Sequence, residues 1–159
     1  MSSKFKITYS ALNADMSAIH KAFDEEVVAL KKELGREYPS IIGGEEIRTA
    51  DLNIKTNPAN TSEVIAKYHV VTPEQVNDAF KIAKEAQKKW GATPWAERVR
   101  ITNKAADIIR DRKMRIAVLM TLEVGKNRME ALGDAEESAD LLSYYAQQMQ
   151  EAHGYDQPL

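Results

Sequence analysis

Ile19, Phe23, Val27, Leu30 and Leu34 recur at spacings of three and four, which predicts an amphipathic helix from about Asp15 to Leu34. Gly35 supplies its stop. From Tyr38 to Val71 the pattern changes to short apolar runs broken by turn residues: Ile41-Ile42-Gly43-Gly44, Ile47, Ile54, Asn57-Pro58-Ala59-Asn60, then Val64 to Val71. This stretch predicts two or three strands, with a tight hairpin at Gly43-Gly44 and a turn initiated by Asn57-Pro58.

Thr72-Pro73-Glu74-Gln75 combines an N-cap hydroxyl, a proline at the first helical position and a capping-box glutamine. A helix starts there and ends at Gly91, and its buried face is expected to be Val76, Phe80, Ala83, Ala86 and Trp90. Pro94 opens a second helix with Val99, Ala105, Ala106, Ile108 and Ile109, and a third follows with Ile116, Leu119 and Met120. The last helix, from about Asn127 to Met149, gathers Leu132, Ala135, Ala139, Leu142, Ala146 and Met149 on one side. Its opposite side mixes Glu130, Gly133, Glu137, Leu141 and Tyr144 where amphipathicity alone predicts only polar groups, so a second packing surface is expected. The pattern amounts to an α+β fold, mostly helical, with a small antiparallel sheet between about residues 41 and 71. Three segments result: a helical extension over 1–36, a small β segment over 37–71 and a helical part over 72–159, forming one incomplete domain.

Composition narrows the functional classes. Twenty-two Lys and Arg against 24 Asp and Glu leave a formal charge of −2, with the signs interspersed, so neither nucleic acid nor a membrane surface is an expected partner. The chain has no cysteine, hence no disulfide, thiolate nucleophile or thiolate metal site. Met1 to Lys6 is not followed by an apolar h-region, and a cytoplasmic protein is expected. No glycine-rich dinucleotide turn, P-loop, nucleophile elbow or zinc-helix motif occurs. His20, His69 and His153 lie far apart and read as surface or strand-face residues, while Gly125-Lys126 reads as a helix C-cap with a cation near the negative end of the dipole. No metal ligand is expected.

A series of strings, in order, resembles the N-terminal third of aldehyde dehydrogenases: Ile42-Gly43-Gly44-Glu45, Asn57-Pro58-Ala59, Glu63-Val64-Ile65, Trp90, Arg98, Ala105-Ala106-Asp107, Leu122-Glu123-Val124-Gly125-Lys126, Glu130-Ala131 and Tyr144-Tyr145-Ala146. The helix before Gly35 and the following Glu37-Tyr38-Pro39 resemble the extension of the branch that acts on glutamate semialdehyde. The resemblance implies a cysteine thiolate, hydride transfer to NAD and hydrolysis of a thioester by activated water. It places the groups for this chemistry beyond Leu159, so this chain alone is expected to have no catalytic residue, bind no NAD and be inactive. It implies as partners the remainder of such a chain and further copies in a homo-oligomer. Within Asp134-Ala135-Glu136-Glu137-Ser138-Ala139-Asp140, Glu137 matches a glutamate that this branch sets beside the amino-acid end of its substrate. Val124 stands where some relatives carry a cation-binding aspartate, so no metal site carries over. The other expectations open at this point are a general aliphatic-aldehyde dehydrogenase fragment and a stand-alone helical module used for assembly.

Overall fold

The computed structural model describes residues 16–155, which form two compact units. Asp15, the N-terminal Met1 to Lys6 and the end of the chain after Tyr155 lie outside the described residues.

One unit holds α1 (Ser17–Lys31), α3 (Trp95–Val124) and α4 (Arg128–Glu151), followed by a 3-10 turn at His153–Tyr155. α3 and α4 form an antiparallel helical hairpin. Its turn begins at Gly125, whose φ of 78° places it in the left-handed region a helix C-cap needs. α4 begins at Asn127, whose side-chain oxygen accepts the Glu130 N–H at 3.0 Å. The interface is built largely from small residues: Ala106 and Ala117 on α3 and Ala131 and Ala139 on α4 are fully buried beside Val118 and Leu132. Alanine permits close approach, so each helix excludes water with little side-chain volume. Phe23 and Leu30 of α1 are buried in the same unit.

The two helices expected after Pro94 are one continuous helix of 30 residues. The segment between the two apolar runs, Arg110-Asp111-Arg112-Lys113-Met114-Arg115, contains neither glycine nor proline, and Arg, Lys and Met are strong helix formers. A gap in the apolar pattern was not a break in the backbone.

The second unit spans Glu33–Thr93. β2 (Ser40–Ile42) and β3 (Glu45–Ile47) pair antiparallel across Gly43-Gly44, whose φ values of 62° and 92° are the positive pair a tight two-residue hairpin requires. β4 (Leu52–Asn57) and β5 (Asn60–His69) pair antiparallel across Pro58-Ala59, where Asn57 Oδ1 accepts the Ala59 N–H at 2.9 Å. β1 (Arg36–Tyr38) joins β5 in parallel, completing a mixed three-stranded sheet of order β1-β5-β4. His69 is a buried strand histidine: Nδ1 lies 2.8 Å from the Thr49 backbone and Nε2 2.9 Å from Glu37 Oε1. His20 and His153 are exposed.

α2 (Pro73–Ala92) starts as its sequence dictates, with Thr72 Oγ1 accepting the Gln75 N–H and Gln75 Oε1 accepting the Thr72 N–H. Its expected core face is a different matter. No residue of α2 is buried, and Phe80 is 73% and Trp90 45% exposed. The side turned to the β2–β3 hairpin carries Ile82, whose methyl groups would stand 3.3 Å from a Cβ on Gly43. Ile82 lies about 200° around the helix from Phe80, so Phe80, the largest apolar residue of the expected face before Trp90, points away from that contact.

Candidate functional site: the free carboxylate of α4

α4 carries four carboxylates within seven residues: Asp134, Glu136, Glu137 and Asp140. Asp134 pairs with Lys126, which the Gly125 turn returns alongside it. Glu136 faces α3, where Lys113 Nζ donates to it at 2.8 Å and Arg110 Nε lies 3.6 Å away. Asp140 accepts from Arg110 at 2.8 Å, and the same guanidinium donates to Ser143 Oγ at 3.1 Å. α3 thereby neutralises the carboxylates on the sides of α4 that it reaches.

Glu137 is different. It is exposed, and no hydrogen bond or ion pair joins it to another described residue. One and two turns further on stand Leu141, 48% exposed, and Tyr144, 54% exposed, and the Tyr144 ring meets Tyr145 edge-on at 5.4 Å. Nothing lies within 4 Å of a Cβ built on Gly133, one turn before Glu137. The mixed face is therefore open, with a carboxylate able to accept hydrogen bonds from an ammonium beside apolar and aromatic surface.

The sequence singled out Glu137 but not the cations that set it apart. Lys113 is buried, and the signal for it was available: it falls in the series Val99, Ala106, Lys113, Ala117, a lysine in a slot of the α3 stripe otherwise held by small apolar residues. A lysine there calls for a carboxylate on the facing helix. Among the described residues no group of three potential ligands is placed to hold a metal ion. No described helix is long and apolar enough to cross a membrane.

The helical hairpin and the hairpin-rich sheet before it agree with what known proteins show. The chain belongs to the aldehyde dehydrogenase family, whose defining pattern matches residues 48–159. It is 41% identical over 134 residues to 1-pyrroline-5-carboxylate dehydrogenase of Geobacillus sp. (strain WCH70), a match that covers 84% of this chain and 26% of that protein. It is 42% identical over 131 residues to the enzyme of the same name from Staphylococcus saprophyticus, covering 82% of this chain and 26% of that one. Among solved structures, 1-pyrroline-5-carboxylate dehydrogenase from Thermus with bound NAD superimposes with a TM-score of 0.81 at 31% identity, over 92% of this chain and 28% of its own. The chain thus spans about a quarter of the length of the curated relatives it matches.

Proposed function

We propose that this chain is the N-terminal portion of an NAD-dependent dehydrogenase that oxidises L-glutamate γ-semialdehyde, the open form of 1-pyrroline-5-carboxylate, to glutamate, and that Glu137 holds the substrate's α-ammonium. The single observation behind the site is that Glu137 alone among the four carboxylates of residues 134–140 has no partner among the described residues. A charge-assisted contact of this kind contributes about 1.5–3 kcal/mol when shielded from water. It would separate an amino-acid aldehyde from a plain aliphatic one.

The chemistry itself belongs to residues outside this chain. It has no cysteine to attack the aldehyde. Its described glycines of positive φ serve turns and caps, Gly91 and Gly133 lie within helices, and none opens a helix after a strand in the way that cradles a dinucleotide pyrophosphate. NAD, which accepts the hydride in such an enzyme, therefore has no residue assigned to it here. The partners in this reading are the remainder of the aldehyde dehydrogenase chain, which would cover the α2 stripe and the open face of α4, and further copies of the whole protein.

The test is to graft residues 1–159 in place of the aligned quarter of the Geobacillus relative and follow NADH formation. Glu137→Ala is expected to lower kcat/KM for glutamate semialdehyde by about tenfold while sparing an aldehyde without the amino group. Equal losses on both aldehydes would make Glu137 structural, and no loss on either would remove it from the site. The 159-residue chain assayed by itself should form no NADH.

A further inference from the structure

We infer that Arg128 latches α1 onto the first turn of α4 and so fixes where Glu137 stands. Arg128 opens α4, at the positive end of the helix dipole, where a cation is unfavourable. The N-cap Asn127 and first-turn Glu130 suit that end, whereas Arg128 does not. Two consecutive residues of α1 offset this. The Arg128 guanidinium lies 4.9 Å from the centroid of the Phe23 ring and 2.6 Å from Asp24 Oδ1. Phe23 is 1% exposed, so the ring beneath the cation is fixed in the core.

A surface ion pair alone would be weak. Here the carboxylate and the ring act on one planar group, which restricts its orientation as well as its distance. A second tie runs from α3 to the same stretch of α1, Arg115 to Glu26 at 3.3 Å. Lys126 and Asp134 pair just past the turn, so the start of α4 is held from α1 and from its own entry loop. Glu137 lies nine residues on, about 13 Å along a helix, and a rotation at Arg128 carries it along. α1 itself falls outside the residues that match the family pattern. Arg128 is therefore a positioning residue, and its purpose rests on the reading of Glu137 above.

Because the chain lacks cysteine, spin labels can be placed through Lys21→Cys on α1 and Ser138→Cys on α4 in the full 159-residue protein, both at exposed positions. Pulsed electron paramagnetic resonance should give one narrow distance distribution. Arg128→Gln should broaden it by about twofold, whereas Arg128→Lys, which keeps the charge for Asp24 and Phe23 but loses the planar group, should broaden it less. An unchanged distribution in Arg128→Gln overturns the latch. Should that variant lose its helical circular dichroism, Asp24→Asn takes its place: broadening supports the latch and an unchanged distribution overturns it. In the grafted enzyme, Arg128→Gln should raise KM for glutamate semialdehyde about threefold with kcat nearly unchanged. If the distance broadens yet Glu137→Ala leaves KM untouched, the latch stands and the reading of Glu137 falls.

Discussion

α2 and α4 look alike as sequences and differ as structures. Each shows an apolar stripe at helical spacing, each has an oxygen-bearing N-cap, and the larger side chains belong to α2. Yet α2 buries no residue, whereas α4 buries Ala131, Leu132, Ala135, Ala139 and Ala146. Periodicity therefore announces a helix and the side on which it would pack, but not whether its partner is in the chain. Shape complementarity decides that: the small residues of α4 meet equally small ones on α3, whereas no residue of the stripe holding Phe80 and Trp90 is buried among the described residues. Burying a phenylalanine is worth roughly 1.5–3 kcal/mol, so the bare stripe is unused stabilisation rather than a neutral surface.

The largest effect that can break this comparison comes from truncating one side chain on each helix. Leu132→Ala leaves a cavity at a fully buried position and should cost about 2–5 kcal/mol in urea unfolding, whereas Phe80→Ala, despite removing more atoms, should change stability by no more than about 0.5 kcal/mol. Comparable losses from the two substitutions would mean that α2 is covered in solution, and the contrast between the helices would disappear.

How far the sequence revealed this molecule follows from the range of the interactions concerned. Features governed by a few neighbouring residues were legible: the Thr72-Pro73 start, the Gly43-Gly44 hairpin, the Asn57-Pro58 turn and the Gly125 cap each follow from the φ value or hydrogen bond those residues provide. Features requiring a distant partner were not. Arg36–Tyr38 lacks an apolar pattern of its own and becomes a strand because β5 offers it a parallel edge. Lys113 is buried because Glu136 faces it from 23 residues away. The open face of α4 was visible as a breach of amphipathicity, and Glu137 came forward as an expectation from the family resemblance. That its three neighbouring carboxylates are occupied could be learned only from α3 and the Gly125 turn.

An effect of middle size probes what starts α2 in the absence of buried side chains. Thr72 and Gln75 satisfy two backbone groups reciprocally, at 3.3 and 2.9 Å. With no core behind the helix, the cap is a large share of what holds its first turn. Thr72→Ala should cost about 1 kcal/mol and increase amide exchange at Val76 and its neighbours, leaving exchange within α4 unchanged. Matching increases in both helices would show that the two units unfold as one.

The smallest effect concerns the charge at the same end of α2. Glu74 is an exposed first-turn acid whose carboxylate accepts hydrogen bonds, first from its own backbone N–H and then from the Thr72 hydroxyl, and these hold its pKa below the ordinary 4.5 against a smaller opposing effect of desolvation. A carboxyl depressed on folding binds its proton more readily in the unfolded chain, so its stabilisation is fully present above pH 4.5 and is lost as pH falls through the lower folded value. The favourable end of the helix dipole acts in the same direction. Glu74→Gln removes the titrating group while keeping its size. The ratio of wild-type to variant protection at the first hydrogen-bonded amides of α2 should therefore be greatest above pH 4.5 and approach unity in stronger acid. α4 offers the internal reference, since its first-turn Glu130 is 56 residues from the mutated site and in the other unit. A ratio independent of pH would show that Glu74 contributes nothing through its charge, leaving the Thr72 and Gln75 cap to define the start of α2.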